Sequence, residues 1–163
     1  MKLAYLICLI AAFTVGREMD CSTMETYLGQ DKSLLANNLI NIGYKKLPDH
    51  QYLSQELANT LTGLSGRKLY GITLTKGVSR MVYIIYNVNG QCAAYTFIIA
   101  KGEYKTDTIE KEIEALGYEN DNNPYAMNIV RGYSKGKKHF VVKDTDINGE
   151  PGIFISVHNV NPK

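Results

Sequence analysis

The side chains best suited to acid–base or metal chemistry in this sequence are three histidines, which are widely spaced. His50 follows Asp49 in a polar stretch, whereas His139 and His158 fall on or near segments with strand-like composition. None has a second His or a Cys at the short spacing of metal sites. The serine-hydrolase, zinc-protease, Cys-x-x-Cys and phosphate-loop patterns are also absent from the sequence. These residues therefore predict no catalytic site and no cofactor, although a triad assembled from distant residues stays open.

One acidic loop has the spacing of a set of calcium ligands. Asp144, Asp146 and Asn148 alternate with other residues, as at the start of an EF-hand loop. Gly149 takes the sixth position of that pattern, but the twelfth, where a bidentate Glu belongs, holds Ile155. A hairpin turn rich in Asp, Asn and Gly explains the same residues. The turn is the favoured interpretation, and calcium binding is the alternative.

Two basic stretches, each with a nearby tyrosine, form the candidate binding surface. The residues are Arg67, Lys68 and Tyr70 in the first stretch and Tyr133, Lys137 and Lys138 in the second. Tyrosine beside basic side chains is a combination that protein interfaces enrich, and the charges would steer association with an acidic partner. The alternative is a pair of solvated turns whose charges protect the edges of a sheet.

The segment from Arg80 to Ala100 is the centre of the predicted fold. Two runs rich in β-branched and aromatic residues flank Asn89-Gly90, which is the strongest short-range signal for a β-hairpin. Because Asn and Gly adopt positive φ at low cost, a type I′ turn is predicted there. Both runs are apolar at nearly every position, so the strands are expected in the middle of a sheet.

Two amphipathic helices are predicted, each ended by a glycine. One covers residues 31–42, and the other begins near Asp107, which has capping-box spacing to Glu110. Their apolar faces are Leu35, Leu39 and Ile42 in the first helix and Ile109, Ile113 and Leu116 in the second. Besides the hairpin, strands are predicted at 68–75, 125–133, 138–143 and 152–159.

The two helical segments match each other at a constant offset, with Leu35 matching Ile109, and Ile85-Tyr-Asn-Val is echoed by Val157-His-Asn-Val. The sequence therefore predicts an α+β fold, a tandem repeat of helix plus antiparallel strands that forms a curved sheet with the helices packed on one face. The first unit covers 17–104 with an extra hairpin strand at 91–100, the second covers 105–163, and the two share one domain. Two helices that share only an amphipathic pattern are the alternative.

Tandem helix-plus-sheet units with an open concave face resemble the arrangement in β-lactamase inhibitor proteins and other exported inhibitor or immunity proteins. The resemblance is one of architecture and assigns no individual residue. It implies a protein that binds another protein through its sheet face and loops.

The composition limits the class of partner. The chain has 163 residues, 45% hydrophobic and 21% charged, an ordinary balance for one globular domain. A formal net charge of +2 is too small to predict binding to nucleic acid or to an anionic membrane.

Residues 1–16 have the order of a secretory signal peptide. Lys2 precedes an uncharged, mostly apolar run that ends at Val15, and Gly16 precedes the polar Arg17. The run is shorter than the roughly 20 residues that span a bilayer. We therefore expect cleavage near Gly16–Arg17 and no stable membrane span afterwards, which places the mature chain in the periplasm or outside the cell. An uncleaved anchor is the alternative.

Cleavage would remove Cys8 and leave Cys21 and Cys92 in an oxidising compartment. Exported cysteines usually pair, so the sequence predicts a disulfide that links the N-terminal arm to the central hairpin. Two separate thiols are the alternative.

Two classes of function follow from these observations. The first is an exported protein-binding module of the inhibitor or immunity type. The second is a small exported enzyme or ligand carrier with a pocket between sheet and helices. The lack of a catalytic pattern favours the binding module, whose partner would be another protein of unknown identity.

Overall fold

The computed structural model describes residues 20–48, 70–102, 104–121 and 130–159. Within these ranges lie three helices and eight strands. In chain order they are α1 (Cys21–Tyr27), α2 (Lys32–Asn41), β1 (Lys45–Lys46), β2 (Tyr70–Lys76), β3 (Arg80–Tyr86), β4 (Cys92–Ala100), α3 (Thr106–Ala115), β5 (Glu119–Asn120), β6 (Val130–Lys135), β7 (Lys138–Ile147) and β8 (Glu150–Asn159).

All eight strands form one antiparallel sheet in the order β1-β2-β3-β4-β8-β7-β6-β5, which confirms the predicted α+β class and antiparallel sheet. The central strands β4 and β8 place Thr96 opposite Ser156. Each half of the sheet contains a two-residue edge strand and three longer strands, and a helix precedes them in the chain. Among the described residues, the strand predicted at 91–100 is present as β4, and β8 takes the matching place in the second half. Ile85 in β3 and Val157 in β8 lie in strands with different places in the sheet.

One hydrophobic cluster joins the helices to the sheet. Met24 of α1, Leu35 of α2 and Ile113 of α3 all belong to it. The strands contribute alternate side chains, because successive residues of a strand point to opposite faces. Those contributed include Leu74, Val82, Tyr95, Phe97, Phe140, Val142, Ile155 and Val157. We call the strand face that carries these side chains the core face, and the opposite face the second face. Each large apolar side chain buried in such a cluster stabilises the fold by roughly 1.5–3 kcal/mol.

The N-termini of α2 and α3 differ. The carboxylate of Asp31 accepts hydrogen bonds from the backbone N–H groups of Ser33 (2.8 Å) and Leu34 (3.2 Å) and so caps α2. The cap position of α3 is Lys105, which makes no capping bond through its side chain. The predicted capping box at Asp107 is therefore wrong. Asp107 instead lies inside the first turn, where its charge favours the helix dipole.

The type I′ geometry predicted for the turn between β3 and β4 is found instead in the turn between β7 and β8. In the loop 87–91 between β3 and β4, positive φ occurs at Gly90 alone, so the predicted type I′ turn is wrong. The side-chain oxygen of Asn87 accepts from the N–H groups of Asn89 (2.9 Å) and Gln91 (3.1 Å), which stabilises a longer loop. Positive φ at two successive residues occurs instead at Asn148 and Gly149, between β7 and β8.

Candidate functional site

Polar side chains from the second half of the sheet meet on the second face. Ser134 of β6 lies opposite His139 of β7, and His139 lies opposite His158 of β8. Directly opposite residues in antiparallel strands share a face, so these three side chains are neighbours. Asp121, which follows β5, joins them, and its backbone N–H donates to the carbonyl of Gly132 (2.8 Å). We call Asp121, Ser134, His139 and His158 the histidine cluster.

The carboxylate of Asp121 connects two members of the cluster. The Ser134 hydroxyl donates to Asp121 Oδ1, and His139 Nδ1 lies 3.3 Å from Asp121 Oδ2. In a Ser-His-Asp triad the serine bonds to the histidine, whereas here the serine bonds to the carboxylate. Asp121 therefore bridges Ser134 and His139, and the arrangement does not prepare Ser134 for nucleophilic attack.

His158 is the most deeply buried member, with only 1% of its surface exposed. Neither of its ring nitrogens has a hydrogen-bond partner among the described residues. Its ring centroid lies 5.8 Å from that of His139, with 27° between the ring planes. Burial, and then the nearby His139, lower the pKa of His158 to about 4. The side chain is therefore neutral at neutral pH. Burying its ring nitrogens without hydrogen bonds costs folding free energy.

In contrast to His158, the buried hydroxyls of Thr96 and Ser156 at the centre of the sheet are hydrogen-bonded to each other. The side-chain oxygens of Thr96 and Ser156 lie 2.8 Å apart, and both residues are fully buried. Each hydroxyl therefore has a partner on the second face, and within this polar row the unsatisfied atoms are those of His158.

A second candidate surface lies where α2 meets the ends of β2 and β3. Tyr70 and Tyr86 are opposite each other, with ring centroids 5.6 Å apart and 19° between the ring planes. Lys32 Nζ lies 3.9 Å from the centroid of the Tyr86 ring, within cation–π distance. Tyr70 is 48% exposed, and Val88 in the neighbouring loop is 68% exposed. We call Lys32, Tyr70, Tyr86 and Val88 the aromatic platform.

Backbone contacts hold this platform in place. The N–H of Lys32 donates to the carbonyl of Gly90 (2.9 Å), and Asp31 forms an isolated antiparallel bridge with Gln91. The start of α2 is therefore bonded to the loop that carries Val88. A partner would meet preformed aromatic surface, which lowers the entropic cost of binding.

The predicted basic surface is only partly present. Arg67 and Lys68 lie outside the described residues, whereas Tyr70 is exposed and belongs to the aromatic platform. Tyr133 is 1% exposed and belongs to the hydrophobic cluster, so its prediction as an exposed anchor is corrected. The register places it opposite Phe140 on the core face. One residue of slip would have moved it to the second face, and the sequence does not set that register.

The two lysines predicted to bind with Tyr133, Lys137 and Lys138, differ in their surroundings. Lys138 Nζ lies 2.7 Å from Glu25 Oε1 and ties β7 to α1, whereas Lys137 is exposed in the turn. Neither lies beside an exposed tyrosine of the second stretch, because Tyr133 is buried.

Two lysines outside the predicted set of binding residues, Lys76 and Lys135, bond to the ends of helices. Lys76 Nζ donates to the carbonyl of Ile42 (2.8 Å), and Lys135 Nζ donates to the carbonyl of Leu116 (2.6 Å). Each ammonium thus satisfies a carbonyl at the C-terminal end of a helix. The signal that could have revealed them is the Lys-Gly pair that ends both β2 and β6.

Of the candidate calcium ligands, Asp144 and Asp146 lie in β7, and Asn148 lies in the hairpin turn between β7 and β8, the turn of the favoured interpretation. Asp144 pairs with Lys101 (3.1 Å), and Asp146 Oδ1 accepts from the N–H of Gly149 (2.8 Å). The Asn148 side chain donates to the carbonyl of Val78 (2.6 Å). Among the described residues, no group of three or more His, Cys, Asp or Glu side chains is placed to hold a metal ion.

Cys21 and Cys92 are both buried, and no disulfide joins them in the structure. The Cys92 thiol donates to the carbonyl of Ala94 at 3.4 Å. Burial raises the pKa of Cys92 to about 12, so the thiolate is scarce at neutral pH. The disulfide stays a prediction about the protein in an oxidising compartment.

No known family model, curated protein or solved structure matches this chain. In the parts of the chain that the structure describes, none of the helices has the length and apolar character needed to cross a membrane.

Proposed function

We propose that this protein is an exported protein-binding module, of the inhibitor or immunity type, that engages its partner through the aromatic platform. The observation that carries the proposal is the exposed Tyr70 ring, stacked on the half-buried ring of Tyr86, over which Lys32 Nζ lies. Stacked tyrosines supply a large contact area at a low entropic cost, and tyrosine is enriched among the residues that dominate binding energy. A lysine beside them favours a partner with acidic groups at the rim of the contact.

We further propose that the chain is a tandem repeat whose helices share one face of the sheet. The same order of elements on both sides of the β4–β8 pair supports this proposal. So do the matching bonds of Lys76 to Ile42 and of Lys135 to Leu116. The common hydrophobic cluster of α1, α2 and α3 supports the shared face.

Export is part of the same proposal. It rests on the basic, apolar and small-residue order of residues 1–16, which lie outside the described residues. An extracytoplasmic protein meets partners in the envelope or the medium, so the search for a partner belongs there.

Affinity purification of the tagged protein from its native envelope or medium tests the proposal. The Tyr70→Ala variant should bind the recovered partner about 5- to 150-fold more weakly, because truncating an interface anchor costs about 1–3 kcal/mol. The matched control is Val78→Ala. Val78 is 77% exposed in the turn at the other end of β2, so this variant should bind normally. Equal affinities of folded Tyr70→Ala and wild type would contradict the platform as the binding surface.

A second candidate function is a small-ligand carrier or enzyme, and the His139–Asp121 pair favours it. The site would lie on the second face rather than between sheet and helices. Titration of the isotope-labelled protein with Zn²⁺ and with acetate, followed by the ring signals of His139 and His158, tests this candidate. Saturable shifts would support it, and unchanged signals would count against it.

A further inference from the structure

The histidine cluster lies in the second half of the sheet, and the corresponding position in the first half is apolar. Thr96 on β4 faces Ser156 on β8. Two residues beyond Ser156 stands His158, which is opposite His139 on β7. Two residues beyond Thr96 stands Ile98, which is opposite Met81 on β3. The corresponding second-face pair is therefore Met81–Ile98 in the first half and His139–His158 in the second half. Because an apolar pair serves at this position in one half, packing alone does not require the histidines.

We propose that the histidine cluster is an acid-sensitive switch, in which protonation of His158 opens the β5–β7 edge of the sheet. The outer strands β5, β6 and β7 are the elements that would separate from β8. In the closed state His158 is 1% exposed, and its nitrogens are unpartnered among the described residues. A neutral imidazole tolerates this position at a cost, whereas a buried imidazolium without an acceptor costs far more.

Among the described residues, no carboxylate that faces His158 is free to accept a hydrogen bond from its protonated ring. The carboxylate of Asp121 is engaged by Ser134 and His139. From β7, His139 lies beside the ring, and Lys143 shares its face with Nζ 4.8 Å from the Phe154 ring; both are basic. Glu119 shares the row through its pairing with Ser134 and is exposed.

Strand β4, which flanks β8 on its other side, supplies no charged acceptor for His158. From β4, Ala94 lies opposite His158 and Thr96 lies diagonally next to it on the second face, and neither carries a charge. Protonated His158 thus has no acceptor from the described residues in the closed state, so charging favours an open state in which water reaches the ring.

The direction and size of the pH effect follow from the difference in the pKa of His158 between the closed and the open states. Burial and His139 lower the pKa of His158 from 6.5 to about 4 in the closed protein. A lowered histidine pKa means that the closed state is stable above pH 6.5 and loses stability as the pH falls from 6.5 towards 4. A shift of this size raises the ratio of open to closed protein about 100-fold between pH 7 and pH 4.

Hydrogen exchange of the native protein, corrected for the intrinsic pH dependence of amide exchange, tests the switch. Protection factors of amides in β6 and β7 should fall about 100-fold between pH 7 and pH 4, and return when the pH is raised. Amides in β2 and β3 provide the internal reference and should change much less. The His158→Ile variant, which carries the residue of the corresponding position in the first half, should reduce the fall to about 3-fold or less. An unchanged fall in this variant would overturn the proposal.

Nuclear magnetic resonance of the wild-type protein gives a second measurement that does not depend on the variant folding. The ring signal of His158 should not titrate between pH 7 and pH 5 in the closed protein, and charging should coincide with loss of protection in β6 and β7. A ring that titrates near pH 6.5 while these amides stay protected would show that His158 can be charged in the closed state, and the switch would be refuted.

Discussion

At the scale of single residues, the ends of the helices depend on lysines from the strands. Each of α2 and α3 is followed by a glycine with positive φ, Gly43 at 97° and Gly117 at 83°. Lys76 and Lys135 then donate to Ile42 and Leu116, the residues just before these glycines. A cation at this end also opposes the partial negative charge of the helix terminus. Each bond therefore fixes a helix to the sheet.

Replacing Lys135 by Met tests this role. The variant keeps most of the side-chain volume but loses the bond to Leu116, so we expect the free energy of unfolding to fall by about 0.5–1 kcal/mol. Urea unfolding followed by circular dichroism provides the measurement. Lys137→Met is the matched control, because Lys137 is exposed in the same turn; its effect should stay within about 0.5 kcal/mol. Equal losses in the two variants would mean that removing a positive charge, and not the bond to Leu116, lowers the free energy of unfolding.

Histidine chemistry on this sheet could not be predicted from the sequence. The sequence marked His139 and His158 only as residues near strands, and no motif links them to Asp121 or Ser134. The cluster is formed by register between β6, β7 and β8, and register between distant segments is a tertiary property. The same limit explains Tyr133, whose strand was foreseen while its burial on the core face was not.

At the scale of the elements, local signals predicted most of what the structure contains. The central hairpin and the long helices follow from β-branched runs, apolar spacing and terminal glycines. The predicted apolar faces are largely correct, since Leu35, Leu39, Ile109 and Ile113 are buried. Ile42 is instead 46% exposed, because α2 ends before it. Strands β1 and β5 have two residues each, which is too short for any periodic pattern to be seen.

The turn between β7 and β8 sets the register of a hairpin of two long strands, β7 and β8. Asn148 has φ of 55° there, a value that Asn tolerates and β-branched residues avoid. The Asn148→Val variant should therefore lose about 1–2 kcal/mol of unfolding free energy. Asn148→Gly keeps the backbone conformation and loses only the side-chain bond to Val78, so we expect a smaller loss. Thermal or urea unfolding distinguishes them, and a Val variant as stable as wild type would contradict the turn geometry.

At the scale of the whole molecule, one sheet and one hydrophobic cluster join the two halves. The halves share their element order but differ in chemistry. The first half carries the aromatic platform, and the second half carries the histidine cluster. We infer that partner binding and acid sensitivity occupy separate ends of the same sheet.

Export makes a prediction about the natural form of the protein. If residues 1–16 are a signal peptide, mass spectrometry of the protein from its native source should find a new N-terminus near Arg17. The expected location is the periplasm or the medium. An intact Met1 on a cytoplasmic protein would contradict export and remove the argument for a disulfide between Cys21 and Cys92.

Site-specific photo-crosslinking shows whether a partner protein lies against the aromatic platform. A photoreactive phenylalanine analogue replaces Tyr70 in one version of the exported protein and Val78 in another, and both are irradiated in the native compartment. We expect one discrete adduct with another protein from position 70, competed by excess unlabelled wild-type protein, and no such adduct from position 78. Absence of an adduct from position 70 in a folded, exported protein, or identical adducts from both positions, would contradict the claim that this protein binds its partner through the aromatic platform.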